Sequence, residues 1–149
     1  MSRDVVAKNR KAFRDYELIQ RVETGIVLQG TEVKSIREHG ASLKESFARI
    51  VNGEVWLENC HIAPYSHGNQ QNHEPRRSRK LLLQRRQINK LFGATQKSGL
   101  TLVPVQMYLS KGRVKVELAL ARGKRKYDKR ETERRKAIQR DIETALKDR

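Results

Sequence analysis

Residues 47–58 read FARIV-NG-EVWLE. Two runs rich in β-branched and aromatic residues flank an Asn52-Gly53 pair. A two-residue hairpin turn needs positive φ at both central positions, which Asn and Gly accept most readily, so this pattern is the strongest short-range mark of a β-hairpin. The same design recurs over residues 102–120, LVPVQMYL-SKG-RVKVELAL. There Val103, Val105, Met107 and Leu109 alternate along the first arm, and Val114, Val116, Leu118 and Leu120 along the second. Pro104 has no amide hydrogen to give a ladder, so it requires an edge or a bulge.

Working outward, YELIQRV (16–22) and GIVLQG (25–30) read as two short strands separated at Thr24-Gly25. TEVKSIREHG (31–40) reads as a helix with Thr31 as N-cap, Gly40 as its stop and Val33 and Ile36 on its inner face. Residues 63–78 are polar, with Gly and Pro but no period, and read as a loop. RKLLLQRRQINKLFGATQKSG (79–99) reads as a second helix with Leu81, Ile88, Leu91 and Phe92 along one stripe and Gly99 past its end. The expected fold is mainly β with helices. About six short antiparallel strands close most economically into a small OB-fold-like β-barrel, because closure removes exposed edges, and two or three helices accompany it. Pattern alone also fits an SH3-like barrel or a small sandwich. The domain organisation read from the chain is a flexible basic arm without periodicity (1–15), a barrel with inserted helices (16–122) and a basic tail (123–149).

Of the 149 residues 36% are hydrophobic and 34% charged, so the core is small and part of the chain lies outside it. Lys and Arg number 33 against 17 Asp and Glu, a net charge of +16. Such a charge repels itself in a compact state unless a polyanion neutralises it, which points to nucleic acid, with an anionic membrane as the competitor. No run of about 18 apolar residues offers a spanning helix, and MSRDVVAKNRKAFRDY has no apolar core of a signal peptide. A lone Cys60 excludes an internal disulfide and fits a reducing cytoplasm. The tail holds 11 Lys/Arg and 6 Asp/Glu in 27 residues, with Tyr127, Ile138, Ile142 and Leu146 as its only sizeable apolar groups. Alone, these four cannot offset the ordering of the segment.

RRSRK (76–80) ends the polar loop and opens the second expected helix. Arg76, Arg77, Arg79 and Lys80 would there add side-chain donors to the anion-favouring helix terminus, although a merely solubilising surface run has the same composition. Cys60, His61, His67 and His73 lack the paired spacing of a structural zinc site and read as a core thiol and loop imidazoles. No G-x-S-x-G, H-E-x-x-H or phosphate-cradling glycine loop appears, so the residues call for no catalytic centre, metal or cofactor.

Five strings lie in register: NRKA (9–12), GIVLQGTEVKSIR (25–37), PRRSRKLLL (75–83), ARGK (121–124) and YDKRE (127–131). Together they closely resemble the small protein B family, the bacterial tmRNA-binding (SsrA-binding) proteins. The resemblance implies an OB-type barrel that binds the tRNA-like domain of tmRNA and has no enzymatic activity. It further implies delivery of alanyl-tmRNA, with elongation factor Tu and GTP, to stalled ribosomes for trans-translation, the protein standing in for a missing anticodon arm. Carried over by position, Asn9 and Glu23 become short hydrogen-bonding groups for sugar hydroxyls or base edges, Lys80 and Lys115 phosphate contacts, and Leu82 a packing residue or an apolar base contact. For Glu23 the alternative is a strand-end ion pair with Arg21. Arg10, Lys11, Lys34, Arg37, Arg76, Arg77 and Arg79 fall in the same strings or the same basic run and complete the expected RNA surface. For the tail the resemblance implies a segment disordered when free and helical in the ribosomal decoding region and mRNA channel. Its contacts would be Gly123, Lys124, Tyr127, Asp128, Lys129, Arg130, Arg134, Arg135, Lys136 and Ile138, with Ile138, Ile142, Ala145 and Leu146 as a thin stripe. Two other classes fit the bare residues: a basic OB-type ribosomal RNA-binding or assembly module, and a small nuclease in which a histidine matters.

Overall fold

A computed structural model describes residues 4–67, 72–97 and 99–123. In chain order its elements are β1 (Asp4–Lys8), α1 (Arg10–Asp15), β2 (Tyr16–Ile26), α2 (Gly30–His39), β3 (Phe47–Val51), β4 (Glu54–Glu58), β5 (Arg79–Leu82), α3 (Arg85–Thr95), β6 (Leu100–Ser110) and β7 (Arg113–Gly123). Both hairpins form as their turn residues dictate. Asn52 and Gly53 take φ of 52° and 74°, and Lys111 and Gly112 take 52° and 76°, the left-handed pair that matches the twist of the flanking strands.

All pairings are antiparallel. They run β6–β3–β4–β5–β2–β7 and return to β6, with β1 added as a seventh strand. β6 accommodates three neighbours by dividing one edge: residues 106–109 pair with β1, whereas Leu102 meets Ala48 of β3. This circuit suits a small OB-type barrel. Val55, Leu57, Leu81, Leu102, Met107, Val116 and Leu118 fill its interior, and Ile36 of α2 and Leu91 of α3 join the same cluster.

Four local expectations change. Residues 4–15 are not an unstructured arm: they form β1 and α1, because Ala7 packs into the core and Ala12 into a second cluster. Residues 16–26 make one strand, with an irregularity between Leu18 and Gln20 in place of a break at Thr24-Gly25. The N-cap of α2 is Gln29, not Thr31; the Glu32 carboxylate accepts the Gln29 N–H at 2.7 Å, and Thr31 Oγ1 instead meets His73 Nδ1 at 2.9 Å. Gly40 does end that helix, at φ 72°. RKLL (79–82) is strand, and α3 begins only at Arg85, capped by Gln84 and Gln87. The leucine run mimicked a helical stripe, yet Arg79 and Leu81 turn inward while Lys80 and Leu82 face outward, a two-residue period.

Of the two settings open to Pro104, an edge or a bulge, the structure has the bulge: Pro104 pairs with Leu118 and Gln106 with Glu117. The bulge reverses the faces of β6. Met107 and Leu109 join the main core, whereas Val103 and Val105 turn to the opposite side, where Ala119, Ala121 and Ala12 of α1 cover them.

Glu32 and Arg79 both have 0% exposure. Arg79 Nε donates to Glu32 Oε2, and the rest of its guanidinium serves the carbonyls of Cys60 (2.7 Å) and Pro75 (3.0 Å). Arg77 adds bonds of 2.6 and 3.1 Å to the same carboxylate. Burial pushes the Glu32 carboxyl upward, but Arg77, the Gln29 N–H and Arg79 together outweigh it and hold it below its ordinary value of 4.5. A depressed pKa contributes stability that is present above the unfolded value and lost as pH falls through the folded one. Glu32→Gln leaves Arg79 charged in the interior, and its expected cost is about 3–5 kcal/mol in denaturant unfolding at neutral pH. The deficit relative to wild type should shrink as pH is lowered below about 4.5; a deficit that stays constant with pH contradicts this account of the pair.

Candidate nucleic-acid interface

Residues paired across a sheet share a face, so register alone assembles the exposed side of β5, β2 and β7. Leu82 lies opposite Gly25, and Gly25 opposite Lys115. Two residues along β2, Glu23 lies opposite Glu117, and on β5 Lys80 lies opposite Trp56 of β4. Glu23, Lys80, Leu82 and Lys115, which come from three separate parts of the chain, therefore gather on one outer face. Leu82 is 49% exposed. It lies over Gly25, where an added Cβ would stand 3.3 Å from the Leu82 Cβ, so glycine makes room for an apolar group standing on the surface.

The charges on this face differ in what they do. Lys80 Nζ lies 3.2 Å from Glu54, both side chains being open to solvent over about two-fifths of their surface, a pair that contributes little and is readily exchanged for another anion. Lys115 forms no ion pair among the described residues. Arg21 lies 3.4 Å from Glu117. Glu23 accepts a hydrogen bond from the Tyr108 hydroxyl.

The remaining expected contacts divide by burial. Arg10, Lys34, Arg37 and Arg76 are exposed. Lys34 Nζ stands 5.6 Å from the Tyr65 ring centre, Arg37 donates to the Gly112 carbonyl at 3.3 Å, and Arg76 reaches Asn59 Oδ1 at 2.9 Å. Lys11 is half-buried against Glu45 at 2.6 Å. Asn9 is buried: its Oδ1 accepts the Ala12 N–H at 3.1 Å as the cap of α1, and its Nδ2 donates to the Pro104 carbonyl at 2.8 Å. Its amide thus locks α1 to the β6 bulge. Arg77 and Arg79 both pair with Glu32, Arg79 fully buried and Arg77 partly so, and the segment leads into a strand, so RRSRK is no cationic rim of a helix terminus.

Cys60 is a core thiol, pushed up to about 11 by burial against the opposing pull of Arg79. His73 is buried between Thr31 and the Ile62 carbonyl. Residues Gly25, Trp56 and Tyr108 belong to the same outer face and were not singled out from sequence. The signal for Tyr108 was the Lys111-Gly112 turn, which sets it opposite Lys115. Gly123 closes β7 opposite Tyr16. Lys124, Tyr127, Asp128, Lys129, Arg130, Arg134, Arg135, Lys136 and Ile138 lie outside the described residues.

A family model described as SmpB protein matches residues 6–148. The chain is 55% identical over 145 residues to an SsrA-binding protein of Geobacillus thermodenitrificans, covering 97% of this chain and 94% of that one. It is 53% identical over 143 residues to an SsrA-binding protein of Carboxydothermus hydrogenoformans, covering 96% of each. A solved structure described as "tmRNA-SmpB: a journey to the center of the bacterial ribosome" contains a chain that superimposes with a TM-score of 0.67 at 49% identity, covering 78% of this chain and 82% of that one.

The two basic side chains Lys115 and Arg79 separate surface from scaffold experimentally. Lys115→Ala is expected to lower the slope of log affinity against log salt for a structured RNA by roughly one phosphate contact, with stability changed by less than about 0.5 kcal/mol. Arg79→Ala is expected to cost several kcal/mol of stability instead, because it empties a fully buried site and leaves the buried Glu32 carboxylate with Arg77 as its one remaining cation. Filter binding across a salt series with parallel denaturant curves reads both; equal salt slopes for Lys115→Ala and wild type contradict the phosphate role.

Proposed function

The chain belongs to the SmpB protein family, and on that premise we propose that it binds tmRNA and takes part in trans-translation on the bacterial ribosome. The family is one of RNA-binding proteins, not of enzymes. The observation that carries the reading to particular residues is the gathering of Glu23, Leu82 and Lys115 across β5, β2 and β7. A cation, an exposed apolar group and an ordered carboxylate side by side match the donors and faces of RNA better than a uniformly basic patch does. Lys115 neutralises a phosphate. Leu82 meets a sugar or base edge. Glu23 accepts from a hydroxyl or an exocyclic amine, since a carboxylate beside phosphates is tolerated only where it makes a specific hydrogen bond. Lys80 exchanges Glu54 for RNA, and Arg10, Lys34, Arg37 and Arg76 extend the field.

The RNA partner in this reading is the tRNA-like domain of tmRNA, presented as alanyl-tmRNA with elongation factor Tu and GTP, in the cytoplasm. The basic tail of residues 124–149 then supplies the ribosomal half of the function, occupying the codonless decoding site and mRNA channel. Its 11 Lys/Arg against 6 Asp/Glu would be neutralised there by ribosomal RNA.

A gel shift with the tRNA-like domain against bulk tRNA tests the first half. Preferential binding that weakens steeply with salt is expected, and equal affinity for both RNAs contradicts it. Removing residues 124–149 should leave the unfolding midpoint and most of the affinity for the tRNA-like domain in place while tagging of stalled peptides collapses. Tyr127→Ala should do part of the same damage, a stacked aromatic on a base being worth about 1–3 kcal/mol. Full tagging by the truncated protein contradicts this division of labour.

A further inference from the structure

Tyr108 has 0% exposure although it stands on the outer side of β6, the side that carries Lys115 and Glu117 on the neighbouring strand. Val5 of β1 pairs with it on one side and Lys115 of β7 on the other. Its hydroxyl nevertheless donates to Glu23, which belongs to β2. Since β7 lies between β6 and β2, the ring crosses a whole strand to reach that carboxylate.

The acceptor is held at an electrostatically unfavourable position. Glu23 and Glu117 are a direct cross-strand pair, and like charges facing each other across a sheet destabilise it. Glu117 is served by Arg21 at 3.4 Å and by Gln106 Nε2 at 3.4 Å. Glu23 receives a phenol. A phenol orders a carboxylate without cancelling its charge, whereas a lysine in its place would form an internal salt bridge. Glu23 is also an exposed residue, and an exposed glutamate that is not held must surrender three side-chain torsions when it binds.

We infer that Tyr108 is a positioning residue for RNA recognition: it fixes the Glu23 carboxylate in place as an acceptor for one hydroxyl or amine donor of the RNA. The inference rests on the reading of Glu23 as an RNA contact. It assigns a purpose to β1 as well, because that strand flanks the tyrosine whose hydroxyl sets the acceptor.

The test is a double-mutant cycle, Tyr108→Phe and Glu23→Ala, with affinity for the tRNA-like domain of tmRNA read by fluorescence anisotropy. Phenylalanine keeps the ring and its packing and removes only the hydroxyl. Glu23→Ala should weaken binding. Tyr108→Phe should weaken it about 2- to 10-fold, the fold-change that ordering one long side chain converts to, with the salt slope unchanged because no phosphate contact is lost. In the Glu23→Ala background Tyr108→Phe should add nothing, since there is no carboxylate left to hold. An equal loss in both backgrounds marks plain packing and overturns the inference, as does wild-type affinity of Tyr108→Phe beside a weakened Glu23→Ala. Wild-type affinity of Glu23→Ala removes the RNA role of Glu23, and the inference falls with it.

Discussion

Two charges buried together, Glu32 of α2 and Arg79 of β5, hold the fold in register. Neither has any exposed surface, so each exists in the interior only because the other is there and because backbone groups complete their hydrogen bonds. Arg79 also ties the carbonyls of Cys60 and Pro75, and Arg77 and the Gln29 N–H finish the carboxylate. One ionic group thus connects the start of α2, the strand β5 and both ends of the segment between β4 and β5. The constraint is one of parity. A one-residue slip of β5 would place Lys80 and Leu82 inside and Arg79 and Leu81 outside, stranding Glu32 without its partner. Fixing Arg79 inward therefore fixes Lys80 and Leu82 outward, on the face proposed to meet RNA.

The same logic of paired faces organises the other side of the sheet circuit. The bulge at Pro104 lets β6 contribute Met107 to the main core and Val103 and Val105 to the small cluster beneath α1. Asn9 caps α1 and bonds the Pro104 carbonyl, so the helix and the bulge are fixed to each other. β1 then runs beside residues 106–109 and flanks Tyr108, whose hydroxyl reaches Glu23. From Asn9 to Glu23 the structure relays packing decisions into the placement of one acceptor. That is a different role for Asn9 than direct contact with RNA, and it accounts for the presence of an asparagine in NRKA equally well.

Turns and alternation were the most legible features of the sequence. Asn52-Gly53, the alternating arms of the last hairpin, Gly40 as a helix stop and Pro104 as a bulge all rest on local stereochemistry, which a sequence displays directly. The errors share a cause: each involved a residue whose state is decided by a distant partner. The run RKLLL is compatible with a helix until Glu32 claims Arg79. Residues 4–8 lack apolar period because they pair on one edge of β6 only, and α1 is held by the bond that the amide of its cap residue Asn9 donates to the Pro104 carbonyl, 95 residues away. The surface residues Glu23, Lys80, Leu82 and Lys115 could be named from the family resemblance. That they share one face depended on three strand registers, and the part of Tyr108 on a contact spanning 85 residues.

The proposed contact between tmRNA and the exposed face of β5, β2 and β7 can be read by backbone amide chemical-shift mapping. In a titration of the 17.3 kDa protein with the tRNA-like domain, the largest shifts should fall on Glu23, Gly25, Leu82 and Lys115. The amides of the α3 face around Ile88 and Phe92 should remain close to their free positions. Shifts concentrated on α3, with residues 23–25, 80–82 and 115 unmoved, would contradict it.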